Sequence, residues 1–585
     1  MMPRLWVLLL IIVCLVSLSL RWVSARHYGQ DWFSSGGFTL VNFDEGGSCR
    51  AQLGSFPYST FVGKQTIALA SFFGHSPPSS LQTGESLQSG TDEATSGSPG
   101  VRSVDAQARR YCHGEAHLQV ARGLSAWAGA ATVLLTALIT LQLLPGRHGT
   151  ALTAAAMLSL SGWHISESMV GTVDAVSCFF IYAFFSGSLL ALHRGRRYWW
   201  LVPPLLLAAI WTKYWVFALL ASPAFLPTHL LMRMLGGISL ARLFFIAVVF
   251  TATAAVATNS GTPETLKLLC PFALYLTIPW ARLGLAHRLL WLAIPFVILI
   301  ALQIPLFEAY STGSLTGRFG TDYGAIGSHK YVRNLLNLPL VLLIGLGIPG
   351  FLAMGWGGFQ LLRERSIDHY WLPLLPLLGF ALYMASLAPV TYYRHYLPLL
   401  PAACIAAAVG LHSLPERVRS TAIVLCLFWQ SALGWDLASD YHLDPRRQLP
   451  ALLAREQPST LLSSFYVNPP ANGVYTRRLL RIPPDPQPLL DAYPNAIFVL
   501  SENWYDTAFA NELNGPVVDD VERLIKTQPM AVDFYRRAID GSYPGLARVA
   551  TLTAPTLMPE LALHKAFYGS FTQFVGDLQV FRVSP

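Results

Sequence analysis

The sequence predicts an α-helical polytopic membrane protein that carries a smaller α/β domain at its C-terminal end. Three observations lead there. Of 585 residues, 53% are hydrophobic and only 12% are charged, about half the charged share of an ordinary soluble chain. The apolar residues gather in runs near the roughly 20-residue length that a helix needs to cross hydrocarbon. The cations sit in short connections between those runs, on alternate sides, so the net charge of +8 marks topology and not a nucleic-acid surface.

The apolar runs number about thirteen: residues 5–20, 124–144, 150–168, 175–192, 199–212, 214–232, 243–258, 268–281, 289–306, 337–360, 370–387, 396–412 and 420–437. Every second connection is basic: Arg147; Arg194, Arg196 and Arg197; Arg233 and Arg242; Arg282 and Arg288; Arg363 and Arg365; Arg417 and Arg419. Positive loops stay in the cytoplasm, which places the N-terminus inside and the long first loop, 21–123, outside. The C-terminal region then also lies outside. The chain divides into a membrane domain, 1–438, and an extracytoplasmic domain, 439–585. Val23-Ser24-Ala25 resembles a signal-peptidase site, so a retained and a cleaved first span both remain open. The hydropathy shows no inverted repeat.

The first outside loop holds an apolar run from Phe61 to Phe73. It is too short to span, and a helix lying on the membrane surface fits it. Residues 74–104, rich in Ser, Gly, Pro and Thr, cannot bury enough surface to offset ordering entropy and read as a mobile insertion. A second outside loop, 307–336, carries Arg318, Asp322, Tyr323, His329, Lys330 and Arg333. Past residue 440 the charge density becomes ordinary. Strand-like runs fall at 461–467, 496–500 and 578–583, and helix-like runs at 517–527 and 531–539, which predicts the α/β domain.

Asp44-Glu45, just outside the first span, is the leading candidate for chemistry. One carboxylate there can take a proton from a hydroxyl, and the other can orient it or hold a cation. Lys64 opens the interfacial run, where its amine either binds a phosphate or snorkels to headgroups. Trp163 to Asp174 is a polar segment between two apolar runs; continuous helix would put Glu167 and Asp174 on one face, and Gly171 favours a turn instead. Lys213 sits among aromatics at an interface, as a generic anchor or as a phosphate clamp. Arg394 faces outside, against the positive-inside trend, which favours a functional role. Cys49 and Cys112 are the two cysteines in the outside loop. They either pair across it or stay as thiols. Cys14, Cys178, Cys270, Cys404 and Cys426 fall in or beside apolar runs and read as inert. Glu45, His164 and Asp174 are three scattered donors for a divalent cation. A phosphate-binding Gly-Lys-Ser/Thr loop, paired-cysteine zinc spacing and a Gly-x-Ser-x-Gly elbow are all missing.

Taken together, Phe43-Asp44-Glu45, Pro57 through Gly63-Lys64, His164 through Asp174, Thr212-Lys213-Tyr214 and Arg394-His395-Tyr396-Leu397-Pro398-Leu399-Leu400-Pro401 resemble GT-C type membrane glycosyltransferases. The likeness is to the lipid A aminoarabinose transferases and protein O-mannosyltransferases, over roughly residues 5–437. It implies a GT-C fold in an inner (plasma) membrane and a sugar delivered on a polyprenyl phosphate. The acceptor is a hydroxyl on a glycolipid, polysaccharide or protein. It further implies that Asp44 acts as base or acceptor-orienting group with Glu45 as its acidic neighbour. Lys64 lies near the donor phosphate, Asp174 is the acid leading into the fourth span, and Lys213 and Arg394 line the cavity. The chain departs from the pattern at Gly46-Gly47, directly after the acidic pair, and at the 74–104 insertion. A lipid-sugar flippase or transporter is the alternative; it would call for repeat symmetry and midplane charges, whereas these charges gather at the outer edge.

Overall fold

The computed structural model describes residues 3–27, 45–54, 60–82, 107–194, 196–213, 329–363, 393–442, 445–464, 475–479, 486–501, 529–553, 556–568 and 577–585, with isolated positions at 467 and between 282 and 291. The expected spans 214–232, 243–258, 268–281 and 370–387, nearly all of 289–306, most of the 307–336 loop and the expected helix 517–527 lie outside the described residues.

Among the described residues, six helices are long and apolar enough to cross a membrane. They lie within α1 (Pro3–His27), α4 (Glu115–Leu143), α7 (Asp174–Arg194), α9 (His329–Arg363), the Arg394–His412 stretch that ends in α10 (Leu400–His412), and α11 (Glu416–His442). Two expected spans are interrupted. The 150–168 run forms α5 (His148–Leu160) and α6 (Gly162–Met169) with a break at Ser161, and the 199–212 run begins as 3₁₀-helix (Arg196–Leu201) before α8 (Val202–Thr212). Ser161 adopts extended backbone, and its side chain caps α6 by accepting from the His164 amide, which is how a serine stops one helix and starts the next. The first outside connection is shorter than expected, because α1 continues to His27 and α4 starts at Glu115.

One apolar core joins α1, α4, α5, α6, α7, α9, α10 and α11. Hydrocarbon offers no hydrophobic drive between helices, so close backbone approach matters more. α9 and α10 show this: a Cβ on Gly357 would meet the Ala406 carbonyl at 1.9 Å, and one on Gly410 would meet the Ala353 carbonyl at 2.1 Å. Outward faces stay apolar, as at Leu15, Leu352, Leu425 and Phe428.

The C-terminal domain is a five-stranded sheet in the order β2-β1-β3-β5-β4. β1 (Thr460–Ser464), β2 (Tyr475–Leu479) and β3 (Ile497–Ser501) run parallel, and β5 (Leu578–Val583) joins β3 and β4 (Leu546–Leu552) antiparallel. Successive residues of β3 alternate between two cores. Ile497 and Val499 pack towards α12 (Leu449–Glu456), while Phe498 and Leu500 pack towards α13 (Gln487–Asp491) and α14 (Pro529–Asp540). Both faces are covered, so β3 is apolar without interruption. α15 (Pro559–Tyr568) leaves this sheet and packs on α9 of the membrane domain.

Candidate active site

Asp44 lies outside the described residues. Its neighbour Glu45 is fully buried and grips Arg122 of α4 with both oxygens, at 2.8 Å to Nε and 2.9 Å to Nη2. The amide of Gly171 donates to the same carboxylate at 2.9 Å. This segment is closed tightly. Gly46 has φ of 74°, and a Cβ there would meet the Cys112 carbonyl at 2.8 Å, so the glycine that departs from the family pattern is required by close approach. α2 (Gly47–Gln52) follows, and Cys49 forms a disulfide with Cys112. α3 (Phe61–Phe72) packs on α2 and α4. The Gly63 amide donates to Ser48 Oγ at 2.7 Å. Lys64 thus stands on a helix anchored to the acidic pair's own segment, and partial burial lowers its amine below the ordinary value. Phe72 and Phe73 are exposed at the far end, as an interfacial helix requires.

Across the Gly171 turn the chain enters α7 at Asp174, where a carboxylate favours the helix N-terminus. Two cations from distant parts of the sequence converge on it. Lys213, at the C-cap of α8, donates to Asp174 Oδ1. Arg394, in the 3₁₀ turn Tyr393–Leu399 ahead of α10, places Nε 3.8 Å from Asp174 Oδ2. All three side chains are buried. Two uncompensated buried cations would each cost several kcal/mol, about the penalty that desolvation imposes, and the shared carboxylate offsets it.

Glu167 of α6 adds a second acid to this group. It feels the charges of Asp174, Arg394 and Lys213. It is fully buried, and its donor is the Trp163 indole of the same helix, in a contact too loose for strict hydrogen-bond geometry. Glu167 and Asp174 do not share a helix face as continuous helix would have required, because bends at 170–173 separate α6 from α7.

His164 is engaged elsewhere. The Arg21 guanidinium donates to its Nδ1 at 2.7 Å, and also to Ser17 Oγ and to the Leu158 and Ser159 carbonyls. The three cation donors expected from sequence therefore do not meet: Glu45 holds Arg122, His164 holds Arg21 and Asp174 holds Lys213. Among the described residues no three His, Cys, Asp or Glu side chains gather as a metal site. The donor set does not fit a divalent cation, because each donor already faces a cationic side chain.

Sequence reasoning did not find the roles of Arg122 and Arg21. An arginine inside an apolar helix was the available signal for both.

The arrangement can be set beside known structures. The Archaeoglobus fulgidus oligosaccharyltransferase in its apo form is 12% identical, with 100% of this chain and 89% of that chain covered and a TM-score of 0.51. The fold is GT-C. The same archaeon's AglB, in complex with an inhibitory peptide and a dolichol-phosphate, aligns at 11% identity over 99% and 88% of the two chains with a TM-score of 0.49. ArnT from Cupriavidus metallidurans in the apo state aligns at 14% identity over 99% and 98%, with a TM-score of 0.37. At such identities the likeness concerns the fold. No family model matches this GT-C chain, and no curated protein matches it.

Proposed function

We propose that this chain is an inverting membrane glycosyltransferase that moves a hexosyl- or pentosyl-type sugar from a polyprenyl phosphate to an acceptor hydroxyl at the outer face of an inner (plasma) membrane. The observation that carries the reading is the convergence of Lys213 and Arg394 on Asp174, next to the turn that Glu45 holds. In this reading the chain crosses the membrane about thirteen times, starts in the cytoplasm and ends in an extracytoplasmic α/β domain. The acceptor is a glycolipid, polysaccharide or protein.

The chemistry follows from the charges. The acceptor oxygen forms a bond to the anomeric carbon as the bond from that carbon to the donor phosphate breaks. The acceptor's proton passes to Asp44, which the braced Glu45 follows directly in sequence. Polyprenyl phosphate leaves with an added negative charge, and that charge develops where Lys213 and Arg394 are already held, with Lys64 nearer the lipid headgroups. Asp174 keeps the two cations compensated while no phosphate is present. Glu167 offers two acceptor oxygens to hydroxyls of the sugar. Mass spectrometry of polyprenyl-linked sugars and surface glycans, in cells with and without the gene, tests this. Loss of one glycan with accumulation of one lipid-linked sugar supports it; unchanged profiles of both reject it.

A further inference from the structure

We infer that Glu560, a side chain of the C-terminal domain, is a positioning residue that fixes the α6 site helix by holding the break in α9. The word "site" rests on the function proposed above; the structural link itself does not.

α9 breaks at Gly347, which has φ of 68° and ψ of 165°, two residues ahead of Pro349. A break of this kind leaves amides and carbonyls without helical partners, which is costly away from water. Three separate elements supply them. Glu560 Oε1 accepts from the Ile348 amide at 2.8 Å and from the Trp429 indole of α11 at 2.6 Å. The Gly345 carbonyl accepts from Gln430 Nε2 of α11 at 2.9 Å and from Ser161 Oγ at 2.8 Å. Ser161 is the residue that breaks α5 from α6 and caps α6. The two breaks are therefore joined through one carbonyl.

Packing joins them as well. A Cβ on Gly345 would meet Trp163 of α6 at 3.0 Å, one on Gly162 would meet Gly434 of α11 at 2.5 Å, and one on Gly347 would meet Trp429 at 2.7 Å. α6, which carries Glu167, has little room to shift unless the α9 break shifts too. One oxygen of Glu560 takes both the Ile348 amide and the Trp429 indole at that break, and a hydrogen bond to a carboxylate is firmer than one to a neutral group.

Glu560 is fully buried, although it belongs to the domain outside the membrane. Trp429 lies nine residues before the Ala438 end of its span, so the carboxylate reaches about 13 Å along α11 from that end. The contact is reciprocal. Asp436 of α11 accepts from the Leu557 and Met558 amides at 2.9 Å and 2.6 Å, at the start of α15. Asp436 thus docks α15, and Glu560 uses that docking to close a break inside the membrane domain. The two carboxylates separate the roles.

The test is hydrogen–deuterium exchange with mass spectrometry on the purified full chain, comparing wild type with Glu560→Ala, Glu560→Gln and Asp436→Asn. Exchange in 161–169 is expected to rise about tenfold in Glu560→Ala, as loss of one charge-assisted hydrogen bond shifts a local opening equilibrium. Glu560→Gln, which keeps the shape and a weaker acceptor, shifts the same amides by less and decides the matter if the alanine variant does not fold. Asp436→Asn is expected to speed exchange at 557–562 and to raise 161–169 by clearly less than Glu560→Ala does. Unchanged exchange in 161–169 in both Glu560 variants overturns the inference. So does an equal rise in Asp436→Asn, which would reduce Glu560 to a docking contact. None of these readouts depends on sugar transfer, so failure here leaves the proposed function standing, and the converse holds.

Discussion

Glu45, which binds the Gly171 amide, and Glu167, four residues before that turn in sequence, are both fully buried and have opposite surroundings. Glu45 takes two arginine N–H groups and a backbone amide in good geometry, whereas Glu167 has one loose contact from the Trp163 indole of its own helix. A buried carboxylate with its donors in place is a brace, and removal of a partner leaves an uncompensated charge. A buried carboxyl group short of donors is a standing cost, and such atoms call for an explanation in a native fold. The difference separates the part of the site that holds shape from the part left for a ligand.

The largest expected effect lies at Asp44, the residue before Glu45 in sequence. Asp44→Asn should lower sugar transfer by about 10²- to 10⁴-fold, the contribution of a general base, with the melting temperature of the purified protein unchanged. Retained transfer would remove Asp44 from the chemistry and merge it with Glu45 as structure. Arg122→Ala should act the other way, costing about 3–5 kcal/mol of stability through the stranded Glu45 charge. Chemical denaturation in detergent measures it, and a loss under ~1 kcal/mol would mean that the brace is not needed. Next comes Lys213→Ala, expected to reduce transfer by roughly 10²- to 10³-fold, as removal of one donor to a developing oxyanion does. Binding of polyprenyl phosphate alone should weaken in the same variant. Normal binding would confine Lys213 to an anchor.

The described helices long and apolar enough to cross a membrane were legible because apolar length acts independently of tertiary contacts. β3 was legible because a strand covered on both faces carries an apolar run, Ile497 to Leu500, and β1 and β5 carry shorter ones at Leu461-Leu462 and Val580-Phe581. β2, with Arg477 and Arg478, and β4, with its half-exposed residues, lie at sheet edges and carry no such run. The break at Ser161 hides inside one apolar stretch, since a membrane break keeps its hydropathy and is satisfied by groups far away in sequence, here Arg21 and Gly345. Gly347 with Pro349 did carry a local signal for the α9 break. Asp174 stood out as an acid between apolar runs, Lys213 as a cation among interfacial aromatics and Arg394 as an exception to the positive-inside trend, but their meeting on one carboxylate depends on three elements packing together. Glu560 gave no sign at all: in sequence it is an ordinary acid in the first turn of a helix.

The smallest effect sharpens the comparison most. Glu167→Gln keeps the shape of a buried side chain whose charged form would face the Asp174 carboxylate, and whose one donor is the Trp163 indole. Stability should therefore stay within about 1 kcal/mol of wild type, or rise, because no like charge can then face Asp174. Glu45→Gln, with the same change of atoms, should lose about 3–5 kcal/mol. If Glu167 receives sugar hydroxyls, Glu167→Gln should also lower kcat/KM for the lipid-linked donor by roughly 10- to 100-fold, the worth of a hydrogen bond to a charged group, without weakening binding of polyprenyl phosphate that lacks the sugar. A stability loss equal to that of Glu45→Gln would show that Glu167 has structural partners after all. Unchanged stability with unchanged kcat/KM would leave its burial without a ligand to justify it.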